Sequence, residues 1–128
     1  MAHFILEYST NLNGEQFVSR DLLARIVEAA VATEIFPRAG CRARAHPCED
    51  FYVADGRETF AFVHLQVRMG AGRSAAEKNS AQEALVAVLE DYCRPIAADQ
   101  GLAISFELTE LPEHKSNINN IREYLGEA

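Results

Sequence analysis

Three arginines in this 128-residue chain have the neighbours that an anion-binding site requires. Arg42 and Arg44 lie two positions apart in an alternating segment, so both side chains point to one face of a short strand. Arg73 follows two glycines and directly precedes a helix signal, where backbone N–H groups and the helix dipole attract negative charge. Because a guanidinium binds a carboxylate through two parallel hydrogen bonds, this set predicts a receptor for a small di- or tricarboxylate.

A plainer interpretation of the same residues stays open. Paired arginines on a short strand are commonly a solvated edge. The segment Gly70–Gly72 lacks both the phosphate-loop and the dinucleotide-binding patterns, which favours a simple strand-to-helix turn. The four histidines have no metal-ligand spacing, and no Ser/His/Asp order or reactive-cysteine signature is present. Spacing alone therefore predicts an anion pocket and no particular reaction.

The charge balance and the cysteines argue against several classes of protein. Twelve basic and 19 acidic residues give a net charge of −7, which argues against nucleic acid as a main partner, since phosphate binding requires a basic surface. No apolar run approaches the roughly 20 residues of a membrane span, and the first residues lack a signal-peptide pattern. Three scattered cysteines without a CxxC pair predict neither a zinc site nor a disulfide framework. We expect a cytoplasmic protein that binds neither nucleic acid nor membrane.

Hydrophobic periodicity predicts the elements that position the arginines. Apolar residues at spacings of three and four predict a helix from Ser19, which we interpret as its N-cap. Ser74 and Glu77 form a capping box that opens a second, longer helix. The tail from Ser116 predicts a further short helix. Period-two alternation predicts strands at 3–8, 41–46, 60–69 and 102–108.

The order of these elements predicts an α+β fold over a single domain, residues 1–128. Two βαβ halves, roughly 3–58 and 59–110, would form a four-stranded sheet with two helices on one face. The other face, expected to carry Phe60 and Phe62, would require a cover that a homo-oligomer provides. Residues 111–128 are expected to form a C-terminal extension that packs on a neighbouring subunit.

Seven short segments, each weak alone, together resemble a known family in their order and separations over about residues 2–110. The segments are His3–Ser9, Ile35–Gly40, Arg42–His46, Ala54–Gly56, Phe60–His64, Gly70–Ser74 and Ile104–Leu108. They resemble the 5-carboxymethyl-2-hydroxymuconate isomerases of the tautomerase superfamily. The resemblance implies a tautomerase-like fold and a homotrimer.

The same resemblance implies an isomerase that needs no metal or cofactor. The family moves a proton on a conjugated tricarboxylate during bacterial breakdown of homoprotocatechuate, which derives from 4-hydroxyphenylacetate. Its base is the amine of an N-terminal proline, exposed when the initiator methionine is removed, and its arginines bind carboxylates and stabilise negative charge. Carried over, position 2 and Arg73 are expected to be catalytic, and Arg42 and Arg44 to bind substrate.

Ala2 departs from the family pattern, because it stands where the family has its proline. If Met1 is retained, the Ala2 nitrogen is an amide and cannot be a base. If Met1 is removed, Ala2 offers a primary amine on a freer backbone. Such an amine has a pKa of about 7.7–8.0, and burial beside arginines would lower that pKa, so it could still accept a proton near neutrality.

Three hypotheses follow for the function of this pocket. The first is an isomerase that uses the Ala2 amine as its base. The second is a catalytically impaired homologue that holds an unsaturated or aromatic acid without turnover. The third is an enzyme of altered chemistry in which His3 or Glu7 supplies the base.

Overall fold

A mixed four-stranded sheet with both long helices on one face forms the core of the protein. The computed structural model describes residues 1–12 and 14–126. Its strands are β1 (Ala2–Ser9), β2 (Cys41–Cys48), β3 (Ala61–Met69) and β4 (Leu102–Glu110). Its helices are α1 (Ser19–Ala32), α2 (Ala75–Asp99) and α3 (Ile121–Tyr124), and a 3-10 turn spans Arg38–Gly40. None of the described helices combines the length and hydropathy needed to cross a membrane.

The sheet joins two βαβ halves through its central pair of strands. The strand order is β2–β1–β3–β4. Strand β1 runs parallel to β2 and antiparallel to β3, and β3 runs parallel to β4. The predicted α+β fold, with two βαβ halves and both helices on one face, is therefore confirmed.

Two hydrophobic periods meet between the sheet and the helices. Every second residue of β3, and of β1 from Ala2 to Leu6, faces the helices and is buried, as the alternation along these strands predicted. The helices cover this face with residues spaced three or four apart, and removing so much apolar surface from water stabilises the arrangement. The fully buried side chains of this core include Phe4, Leu6, Leu22, Ile26, Val63, Leu65, Val67, Leu85, Leu89 and Ile96.

The two long helices begin differently from each other. The Glu77 N–H donates to the Ser74 hydroxyl and the Ser74 N–H to the Glu77 carboxylate, both at 3.1 Å, which confirms the predicted capping box of α2. The prediction of Ser19 as an N-cap is wrong, because Val18 holds that position without a side-chain cap. The Val18 N–H instead donates to the hydroxyl of Tyr92 on α2, at 2.9 Å. A tertiary contact thus takes over the role of a local cap.

The face of the sheet opposite the helices is mostly polar, and of the two phenylalanines expected there only Phe62 lies on it. Phe62 lies on this open face, but Phe60 precedes β3, which begins at Ala61, and packs instead against Gly101. The open face carries charged and polar side chains from all four strands, namely His3, Glu7, Arg42, Arg44, His46, His64, Gln66, Arg68, Ser105, Glu107 and Thr109.

The C-terminal segment returns across the sheet after β4. The Asn117 side-chain oxygen accepts a hydrogen bond from Arg42 Nη2 at 2.5 Å, and the Asn119 amide donates to the Ala39 carbonyl at 2.7 Å. These contacts bring α3, the short helix predicted in the tail, to the edge formed by β2. Ile118 and Tyr124 are 98% and 82% exposed. Packing of this segment on a neighbouring subunit stays a prediction.

Candidate active site

A cavity of about 180 Å³ lies at the start of β1. Three segments line it: the chain start with Met1 and Ala2, the connection between α1 and β2, and the connection between β3 and α2, which carries Arg73. The cavity therefore brings Ala2 and Arg73 together, although they lie 71 positions apart in the chain.

Strand pairing explains why the cavity forms at this end of the sheet. Ala2 is paired with Cys41 at the start of β2 and with Met69 at the end of β3. Because β1 is parallel to β2 and antiparallel to β3, the chain enters β2 and leaves β3 beside the amino terminus. The loops at these two points surround Ala2, whose side chain is 5% exposed.

Arg73 connects two of the segments that line the cavity. Its Nη2 donates to the Ile35 carbonyl at 2.8 Å, and its Nη1 lies 3.5 Å from a Glu77 carboxylate oxygen in the first turn of α2. Backbone hydrogen bonding from Ser74 foremost, with a contribution from Arg73, holds the pKa of Glu77 below its ordinary value. A guanidinium has five N–H donors, so these contacts leave donors for an anionic ligand.

The loop that carries Arg73 is fixed to the end of β4. Gly72 has a φ of +104°, a left-handed conformation that favours glycine, and its N–H donates to Glu110 at 3.3 Å. The other Glu110 oxygen accepts from Lys78 Nζ at 2.7 Å, and this contact foremost holds the pKa of the carboxyl below its ordinary value. The glycines thus form a strand-to-helix turn, as the plainer interpretation predicted.

Arg42 and Arg44 share one face of β2, as their spacing predicted, but that face is the open face of the sheet. Neither lines the cavity with Ala2 and Arg73 in this chain. Arg44 Nη1 lies 3.0 Å from His3 Nδ1. Arg42 donates to Asn117 through Nη2, whereas its Nη1 is buried without a hydrogen-bond partner among the described residues.

His3 occupies a cationic environment on the open face. Burial foremost, then the positive charges of Arg44, Arg42 and Arg68, hold the pKa of His3 below its ordinary value of 6.5. A neutral imidazole can accept the hydrogen bond that Arg44 offers at Nδ1. His3 and Glu7, the two residues considered as alternative bases, lie on the open face, and neither lines the cavity.

A second cavity, of about 410 Å³, adjoins the first. The two share Met1, Pro37 and Gly40, while the second also has a wall from the C-terminal segment that includes Arg122. The sequence interpretation missed this wall, because the tail residues show no periodic pattern that would place them near the chain start. The segment Ile35–Gly40 was predicted to end the first helix and to carry part of the family resemblance, but not to line a cavity.

The thiols offer no reactive nucleophile in this region. Burial raises the pKa of the Cys93 thiol to about 11, and burial foremost also raises that of Cys41 beside the chain start. Among residues 1–12 and 14–126, no three histidine, cysteine or acidic side chains cluster as metal ligands. The first cavity thus places Met1 and Ala2 beside the guanidinium of Arg73, a group that can stabilise negative charge.

Sequence comparison with known proteins identifies one family that matches nearly the whole chain. The family profile for 5-carboxymethyl-2-hydroxymuconate isomerase matches residues 2–125. The 5-carboxymethyl-2-hydroxymuconate Delta-isomerase of Escherichia coli is 36% identical over 122 residues, covering 94% of this chain and 96% of the relative.

Solved structures agree with the sequence relatives. A 5-carboxymethyl-2-hydroxymuconate isomerase from Deinococcus radiodurans R1 is 37% identical, with a TM-score of 0.90 over 97% of this chain and 93% of that one. A fused 4-OT wild-type symmetric trimer is 15% identical, with a TM-score of 0.70 over 91% and 92% of the two chains. The second likeness shows the tautomerase-like fold alone.

Proposed function

Because this chain belongs to the 5-carboxymethyl-2-hydroxymuconate isomerase family, it is an isomerase, and we propose that it acts on 5-carboxymethyl-2-hydroxymuconate or a similar unsaturated di- or tricarboxylate. The proposed setting is the breakdown of homoprotocatechuate in the cytoplasm. The observation that carries the proposal is the shared cavity of Ala2 and Arg73.

The proposed reaction is a proton transfer that shifts a double bond. With Met1 removed, the Ala2 amine takes the proton of the 2-hydroxyl group of 5-carboxymethyl-2-hydroxymuconate. This leaves a dienolate, whose negative charge Arg73 stabilises. The protonated amine then gives the proton to C5, so that C2 becomes a carbonyl, one double bond remains between C3 and C4, and atoms and charge balance over the cycle.

Arg42 and Arg44 are proposed to bind substrate carboxylates across a subunit boundary. In one chain they lie on the open face, so they reach a bound substrate only if another subunit brings its cavity to that face. The buried, unpartnered Nη1 of Arg42 supports a role in anion binding. A homotrimer provides such boundaries, and the trimeric fused 4-OT structure has the same fold.

A second candidate function is binding without turnover, and Ala2 is the observation that favours it. A primary amine on an unconstrained residue is positioned less well than the ring nitrogen of proline, and small errors in position cost large factors in rate. In that case the arginines would hold the acid while no effective base moved the proton.

Turnover measured on chains of known amino terminus separates these candidates. Ultraviolet absorbance follows 5-carboxymethyl-2-hydroxymuconate, and intact mass spectrometry shows whether Met1 is present. We expect the Met1-free chain to turn over, and Gly-Ser placed before Ala2 to lower kcat by about 10²–10⁴, the usual contribution of a positioned base. A C-terminal Gly-Ser serves as the matched control.

The Ala2→Pro variant, also freed of Met1, tests the amine directly. A higher kcat than in the wild type supports an isomerase that works with a substitute amine. If only Ala2→Pro turns over while the wild type binds the acid, the proposal fails and the binding protein is correct. Loss of turnover in His3→Ala or Glu7→Ala would instead identify a different base.

A further inference from the structure

The two adjoining cavities share part of their walls, each has an arginine in its lining, and we refer to them together as the cleft. Arg73 lines the first cavity and Arg122 the second, and Met1, Pro37 and Gly40 belong to both. The first cavity alone, at about 180 Å³, is smaller than the roughly 300–1,000 Å³ usual for a ligand site. With the adjoining 410 Å³, the cleft falls within that range.

Arg122 is available for a ligand. It is exposed and forms no ion pair with any residue in the described part of the chain. Glu123 also lines the second cavity, but adjacent residues of a helix do not face each other, so it is not positioned to neutralise Arg122.

Two asparagines attach the segment that carries Arg122 to the rest of the chain. Asn119 donates to the carbonyl of Ala39, which lines the second cavity, at 2.7 Å, and its side-chain oxygen accepts from the Ile121 N–H at 2.8 Å. Asn117 accepts from Arg42 on β2 at 2.5 Å. The C-terminal segment is thus attached at two points, one on each side of Ile118.

We propose that Arg122 binds the substrate carboxylate furthest from the reacting carbons and selects for tricarboxylates, an inference that rests on the proposed function of the cleft. A tricarboxylate brings three negative charges to a chain whose net charge is −7. Arg73, beside the chain start, balances charge near the reacting carbons. In the Met1-free chain, an acid held there extends past Pro37 and Gly40 towards Arg122, which binds the carboxylate of the carboxymethyl arm.

The substitution Arg122→Gln tests this role with two substrates. One is 5-carboxymethyl-2-hydroxymuconate, and the other is its analogue without the carboxymethyl arm. We expect KM for the tricarboxylate to rise about tenfold with kcat nearly unchanged, because an exposed charge-assisted contact contributes equally to the ground and transition states. KM for the analogue should not change, and Arg122→Lys should restore part of the loss. Arg94→Gln, an exposed arginine on α2 paired with Asp91, is the matched control.

Calorimetry with the saturated analogue of 5-carboxymethyl-2-hydroxymuconate measures binding without turnover. It therefore tests the role of Arg122 separately from the proposed isomerase reaction. Wild type that binds this acid without turning over the unsaturated substrate contradicts the proposed isomerase reaction, while about tenfold weaker binding by Arg122→Gln still supports the role of Arg122. Equal binding by wild type and Arg122→Gln overturns that role even if turnover is normal. An equal rise in KM for both substrates also overturns it, since Arg122 would then not recognise the distal carboxylate.

Discussion

The starts of β1 and β3, at opposite ends of the sheet, have the same local architecture, yet a cavity lies beside the start of β1 while side chains pack over the start of β3. At one end Ala2 begins β1 opposite Cys41, and at the other Ala61 begins β3 opposite Leu102. A glycine precedes the paired strand in each half, Gly40 before β2 and Gly101 before β4. We call the first the open end and the second the closed end.

Side chains seal the closed end. The ring of Phe60 covers Gly101 so closely that a Cβ on the glycine would lie 2.5 Å from Phe60 Cδ1, and Arg57 stacks on the same ring at 4.6 Å. Asn11 Nδ2 donates to two carbonyls of the segment before β3, at 2.8 and 2.7 Å. Gln100 donates to a third, at 2.9 Å.

The difference between the ends lies in the segments packed against the first strand of each half. At the closed end, residues 57–60 pack over the start of β3. At the open end, loops with Phe36 and Arg73 surround a cavity beside the start of β1. The same strand arrangement thus borders a packed end in one half and a cavity in the other.

The largest expected effect is a loss of activity from a substitution at the open end, compared with a loss of stability from one at the closed end. Arg73→Gln should lower kcat/KM by about 10²–10³, the usual result of removing a donor that stabilises developing negative charge. Asn11→Ala at the closed end should leave kcat/KM unchanged and lower the free energy of unfolding by about 1–3 kcal/mol, because it removes two hydrogen bonds. Steady-state kinetics and urea unfolding of both variants provide the measurement. An equal fall in kcat/KM for Asn11→Ala would show that the two ends act on one site.

The sequence predicted the scaffold better than it predicted the site. Period-two strands, period-3.6 helices and the Ser74 capping box are local signals, and all of them appear in the structure. The grouping of Ala2 with Arg73 depends on which strands pair, and that follows from topology rather than from spacing. Arg42 and Arg44 share a face as their spacing required, but the spacing could not tell which face it was.

The residues that the sequence interpretation misplaced or missed are held by contacts distant in the chain. Ser19 was predicted as the N-cap because no local sequence signal indicates the hydrogen bond between Val18 and Tyr92, which lie 74 positions apart. Phe60 fitted the alternation of β3, although its packing against Gly101 removes it from the strand. Arg122 lies near Met1 only because the tail crosses the sheet, and no periodicity encodes that path.

A matched pair of glycine substitutions compares how tightly the two ends are packed, and we expect an effect of intermediate size. Gly101→Ala should destabilise the protein by about 1–3 kcal/mol, because its methyl group would displace the Phe60 ring from a packed position. At Gly40 the added Cβ would contact only Met1, with its nitrogen at 3.3 Å, so in the Met1-free chain Gly40→Ala should change stability by less than about 0.5 kcal/mol.

Urea unfolding of both glycine variants in the Met1-free chain checks this pair. Neither glycine has a φ in the left-handed region, so backbone strain does not contribute to the difference. Equal destabilisation by the two substitutions would mean that the open end is packed as tightly as the closed end.

The smallest expected effect concerns His3, which follows Ala2 at the open end. The equivalent position at the closed end, after Ala61, is Phe62, which does not titrate. Since the pKa of His3 lies below its ordinary 6.5 in the folded protein, the unfolded chain binds more protons just below pH 6.5. The free energy of unfolding should therefore fall as the pH drops through 6.5, and this fall should end below the folded pKa of His3.

Comparing urea unfolding at about pH 7.5 and about pH 5.5 tests the contribution of His3. The substitution His3→Gln removes the titrating ring, so the loss of stability between the two pH values should be smaller than in the wild type. His114→Gln changes an exposed histidine of the tail and should keep the wild-type difference. If His3→Gln also keeps that difference, the arginines of the open face do not hold His3 neutral, and the open end has no distinct electrostatic character on that face.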